Sequence, residues 1–129
     1  MAIRVVQLGT PRAPDEGIRL GTVRRPPRGV AKADYSRLNY FDVWLPDLAP
    51  SAALLAWVRV QALNDRRWAA FRRRYASEMA RPPAARLLAL LAALSAQVNV
   101  SVGCFCADER HCHRTVLREL LEQAGAVLV

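Results

Sequence analysis

Short apolar runs rich in β-branched residues alternate along this chain with longer stretches whose apolar positions recur every three or four residues, a pattern that predicts strands interleaved with helices. Ile3 to Leu8 reads as a first strand, stopped by Gly9-Thr10-Pro11. Ile18 to Val23 reads as a second, ending at the turn-rich segment Arg24-Arg25-Pro26-Pro27-Arg28-Gly29. Tyr40 to Leu45 is apolar and aromatic and is closed by Pro46, so it fits either a strand or a packed connector. Val98 to Cys104 and Ala126 to Val129 complete the set of strand-like runs.

Between these runs the period changes. Ser51 stands before an Ala-Leu-rich stretch and can cap the free N–H groups of a first helical turn. Asn64-Asp65 offers the next cap, and Trp68, Phe71, Tyr75 and Met79 then follow on one helical face, with Arg67, Arg74 and Glu78 on the opposite surface. That aromatic stripe reads as core in preference to a base-stacking platform. Pro82-Pro83 breaks the pattern, Ala84 to Gln97 predicts a helix whose leucines point inward, and His113 to Ala124 predicts another, stopped by Gly125.

Strands joined by helical crossovers imply a single α/β domain over residues 1–129, a three-layer, Rossmann-like sandwich with a mostly parallel sheet. At 129 residues and 53% hydrophobic content the chain is large enough for one core. Its longest apolar stretch, Leu87 to Leu94, is far short of a membrane span, which needs roughly 20 residues. No basic-then-apolar leader opens the chain, so a cytoplasmic protein is expected. The formal net charge is +8, and residues 1–37 carry eight basic groups against three acidic ones. An anionic partner follows naturally, either a phosphate-bearing small molecule or nucleic acid, although such a charge also serves solubility alone.

All three cysteines and both histidines fall between Cys104 and His113. Clustered, odd-numbered cysteines do not make a disulfide framework, which leaves three chemistries. As a metal site, Cys104, Cys106, Cys112 and His113 are the ligand set of a closed zinc centre, but the Cys-x-Cys spacing departs from the usual two-to-four-residue turn. As a nucleophile site, Cys104 stands six positions before Arg110, the spacing of oxyanion-cradling phosphatase loops, with Asp108 and Glu109 set against an anion there. As an anion site, Cys112-His113-Arg114 occupies the first turn of a helix, where free N–H groups and the positive dipole end converge.

Cys-x-Cys, a polar loop, Cys112-His113-Arg114 and then Leu117-x-x-Leu120-Leu121 together resemble the bacterial and archaeal family called domain of unknown function 488. Upstream, Pro27-Arg28-Gly29-Val30-Ala31-Lys32, Leu48-Ala49-Pro50-Ser51 and Trp68-x-x-Phe71-x-x-x-Tyr75-x-x-Glu78 look like further segments of that family. This chain has Pro26 where the family often has Trp, and Cys106 where many members carry another residue. The resemblance implies a small α/β domain of unassigned activity, with Cys104, Cys112, His113 and Arg114 as the matching positions.

Taken together, Cys104, Cys112 and His113 are the candidates for chemistry, and Arg28 and Arg114 for binding a phosphate-bearing ligand. No residue is assigned to a metal, no cofactor is named by the residues, and Cys106 and His111 are set aside. The alternatives are a thiol enzyme or redox protein using Cys104 and Cys112, and a zinc-stabilised interaction domain.

Overall fold

The computed structural model describes residues 1–106 and 111–129. Its strands are β1 (Ile3–Gln7), β2 (Ile18–Gly21), β3 (Val43–Trp44) and β4 (Val100–Cys104), and its helices are α1 (Ala52–Arg59), α2 (Asp65–Met79), α3 (Ala84–Leu94) and α4 (His113–Gln123). The strands form one parallel sheet in the order β1-β4-β2-β3. The chain is therefore an α/β fold with a parallel sheet.

β4 is central and buried along its whole length, as a near-continuous apolar run in a parallel sheet should be. Its register places Val100 opposite Ile3 and Val102 opposite Leu20, so these side chains share one face. All four helices pack on that face: Leu54, Phe71, Tyr75, Met79, Leu88, Leu91, Val116, Leu117 and Leu121 join the strand residues in one buried core. Each fully buried leucine contributes about 1.5–3 kcal/mol by its removal from water.

The opposite face is covered by connections instead of helices among the described residues. Gly21 and Gly103 sit side by side there, and a Cβ built on Gly21 would lie 2.3 Å from the ring of Phe41. Beside them Arg19, fully buried, donates from Nε and Nη2 to the Glu16 carboxylate at 2.7 and 2.8 Å and from Nη1 to the carbonyls of Thr10 and Asn39. Ser101 Oγ donates to the same carboxylate at 2.9 Å. This polar cluster locks the connection after β1 onto the sheet.

Several elements differ in extent from the sequence expectation. β2 stops at Gly21, one residue beyond which Thr22 closes the ladder by donating its N–H, and also its hydroxyl, to the Gly103 carbonyl. The Tyr40–Leu45 segment yields only the two-residue strand Val43–Trp44: Phe41 folds over Gly21, and the Asp42 carboxylate is taken by Arg12 and by the Arg19 backbone N–H. The C-terminal run pairs through a single parallel bridge between Leu128 and Ile3, beside β1 at the sheet edge. No described helix is long and apolar enough to cross a membrane.

Helix starts follow the caps. Ser51 Oγ accepts from Leu54 N–H at 3.1 Å and Asn64 Oδ1 from Arg67 N–H at 2.8 Å. Ser51 is also gripped by Glu78, which accepts from its backbone N–H at 2.9 Å and from its hydroxyl. Two segments far apart in the chain thereby fix the end of α2 against the start of α1.

Candidate functional site

A parallel sheet delivers the C-terminal ends of its strands to one edge, and ligands bind beyond that edge. Here β1 ends at Gln7, β2 at Gly21 and β4 at Cys104, while α4 begins immediately beyond them. A cleft of about 680 Å³ opens at this point. It is lined by Arg24, Arg25, Pro26, Pro27 and Arg28 from the connection after β2, by Leu55 and Arg59 of α1, by Tyr40 and Phe105, and by Cys104, Cys106 and His113. The cleft volume is that of a small-molecule site.

The three cysteine sulfurs all lie within 4.8 Å of one another. Cys104 ends β4, Cys106 two residues later returns to the same side, and Cys112 precedes α4. Cys104 and Cys112 are buried, packed with Leu8, Val23 and Phe41, whereas Cys106 is exposed. Their protonation is unequal. Hydrogen bonds from the Cys104 and Cys112 thiols, with the charge of Arg114 behind them, hold the Cys106 thiol far below its ordinary value against the opposing effect of burial. The same interaction with Cys106 raises Cys104 to about 11, and Cys112 is raised as a donor to Cys104. The shared hydrogen bonds thus favour the thiolate form at Cys106 over Cys104 and Cys112.

His113 is held by its neighbours. Its Nε2 lies 2.7 Å from the Thr22 carbonyl, and since a carbonyl can only accept, Nε2 carries the proton and Nδ1 is left as an acceptor. Burial lowers its pKa, so the ring is neutral at physiological pH. Tyr75, fully buried, sets its ring edge-on to this imidazole at 5.6 Å and donates its hydroxyl to the Leu48 carbonyl at 2.6 Å. Burial raises the phenol well above its ordinary value, so it stays protonated.

The arginines divide by role. Arg24 spends its guanidinium on the carbonyls of Pro46, Ala49 and Pro50 at 3.1–3.2 Å, which fastens the rim of the cleft. Arg25, Arg28 and Arg59 are exposed on the rim, and none of them pairs with a described carboxylate. Arg114 is 3% exposed and lies behind the sulfurs, outside the cleft lining.

Of the residues expected from the sequence, Cys104, His113 and Arg28 line the cleft, while Cys112 and Arg114 stand behind its floor. Cys106, set aside earlier, is brought into the sulfur cluster; the two-residue spacing from Cys104 was the signal, since alternate residues leaving a strand share a face. His111 packs against Trp68 at 5.3 Å. Asp108, Glu109 and Arg110, the residues of the oxyanion-loop comparison, lie outside the described residues. Arg59 was missed because nothing in its local sequence ties α1 to the β2 connection.

The model of one protein family, described as the active DUF488-N3 subclade, matches residues 3–125 of this chain. No curated protein and no solved structure matches it.

Proposed function

The chain belongs to the active DUF488-N3 subclade, a branch of the domain of unknown function 488 family, and we propose that its cleft binds a phosphate-bearing small ligand of nucleotide size. The observation that carries this reading is the cleft lining: four arginines with no Asp or Glu among the described residues, set around apolar and aromatic walls. Arg28 belongs to a connection whose Gly29 adopts φ +71°, a backbone few other residues accept, so the rim can turn sharply beneath a ligand. Tyr40 and Phe105, with rings 6.0 Å apart, offer aromatic surface for a base.

Charge decides how the ligand lies. The floor holds Cys106, whose thiol is shifted toward the thiolate, and the proton-free Nδ1 of His113, neither of which welcomes an anion. The phosphate therefore belongs at the Arg25, Arg28 and Arg59 rim, and the uncharged part of the ligand faces Cys104, Cys106 and His113. Arg114 offsets the floor's negative charge from behind. A cleft of this volume has the size for a mononucleotide.

Thermal unfolding with inorganic phosphate, nucleoside mono- and diphosphates and a short single-stranded oligonucleotide tests the reading. Stabilisation by a mononucleotide that disappears in Arg28→Ala supports it. Stabilisation by none of the probes would overturn it, and stabilisation by the oligonucleotide alone, falling steeply with salt, would replace it with nucleic-acid binding.

A further inference from the structure

We propose that Cys104, Cys106 and Cys112 form a three-thiolate site for a thiophilic divalent cation of the zinc class, with its fourth coordination position open to the cleft. The inference is independent of the phosphate ligand, because it rests on the sulfurs alone.

The geometry carries it. Three ligands at a zinc–sulfur distance of about 2.3 Å, disposed tetrahedrally, place their sulfurs about 3.8 Å apart. The sulfurs here already lie within 4.8 Å of one another, so a contraction of at most about 1 Å completes the site. Packing alone accounts poorly for the cluster. Cysteines kept as small buried hydrophobes have no reason to converge their sulfurs, and Cys106 is exposed.

The surroundings suit thiolates. The Cys106 backbone N–H is directed at the Cys104 sulfur and the Arg114 backbone N–H at the Cys112 sulfur. N–H groups directed at sulfur in this way stabilise metal-bound thiolate. Binding expels the thiol protons that remain and leaves a centre of net charge −1 beside the buried Arg114 guanidinium. His113 is not among the converging ligands, and its N–H is committed to Thr22. With three protein ligands and Cys106 facing the cleft, the remaining position falls to water or to a cleft ligand, the arrangement of zinc sites that act on substrates.

The test is zinc chloride titrated into untagged, metal-free protein kept reduced without added thiol, with Cys106→Ser and Cys104→Ser in parallel. Cys106 is exposed, so its variant should keep the wild-type circular dichroism. The expected result is one zinc bound per chain with proton release, a rise in Tm, and affinity weaker by about tenfold or more in either variant. Cobalt in place of zinc should give intense visible bands of a tetrahedral thiolate centre with sulfur-to-metal charge transfer. Failure of the wild type to take up stoichiometric zinc, or uptake unchanged by Cys106→Ser, would overturn the proposal.

Discussion

His113 Nε2 donates to the carbonyl of Thr22 at 2.7 Å, joining the first turn of α4 to the chain just beyond β2. Thr22 in turn donates its hydroxyl to the Gly103 carbonyl of β4 at 2.9 Å. The floor of the cleft is thus a hydrogen-bonded seam across three elements, and its imidazole is oriented before any ligand arrives. Replacing His113 by Phe leaves the Thr22 carbonyl without this donor and should cost about 1–3 kcal/mol. Urea unfolding measures that loss, and long-range proton–nitrogen NMR of the wild type should show the Nε2–H tautomer.

The buried Glu16–Arg19 pair governs the acid limb of stability. Burial raises the Glu16 carboxyl, but two hydrogen bonds and the charge of Arg19, with Ser101 and the Ala13 N–H, outweigh it and bring the folded value below normal. A depressed carboxylate contributes stability that is fully present above the unfolded value of about 4.3 and is lost as pH falls through the folded value. Arg19→Met should cost about 3–5 kcal/mol at neutral pH by stranding the carboxylate. Glu16→Gln should flatten the acid limb, seen as a smaller drop in unfolding free energy between neutral and acidic buffers.

Close backbone packing at the sheet's covered face makes two glycines obligatory and leaves a third tolerant. A Cβ on Gly103 would lie 2.5 Å from the Val6 carbonyl oxygen, a backbone atom that cannot move aside alone. Gly103→Ala should destabilise by about 1–3 kcal/mol or more, and Gly21→Ala similarly through Phe41. Gly29→Ala meets nothing within 4 Å and should cost only the strain of its positive φ, about 1 kcal/mol. Tm values of the three variants check the order.

Ser51 and Glu78 should behave as one unit. Ser51→Ala removes both the α1 cap and a partner of Glu78, for an expected loss of about 1–2 kcal/mol. Adding Glu78→Ala to it should cost much less than Glu78→Ala alone, and a double-mutant cycle by denaturant unfolding reads that coupling.

Much of the scaffold was legible in the chain. The β-branched Ile3 to Gln7 and Val100 to Cys104 are strands, and the Trp68-Phe71-Tyr75-Met79 stripe points a helix into the core, because burial on one face imposes a period that a sequence displays. What stayed hidden depends on contacts between distant segments. Arg19 sits in an apolar strand and is fully buried only because Glu16, Ser101 and two carbonyls surround it. Tyr40 and Phe41 leave the strand pattern because Gly21 opens a place for an aromatic ring. The gathering of cysteines at the end of β4 was visible in the chain, whereas which side chains converge there was not. Arg59 reaches the rim through the packing of α1, which no spacing rule contains.

Binding of a nucleoside diphosphate measured calorimetrically, with wild type and Arg28→Glu side by side, tests the account most directly. Saturable one-to-one binding by the wild type, weakened tenfold or more by the charge reversal while Arg37→Glu, away from the cleft, binds as the wild type does, is the expected result. No heat of binding in the wild type, or equal loss in both variants, would contradict a phosphate site on the cleft rim.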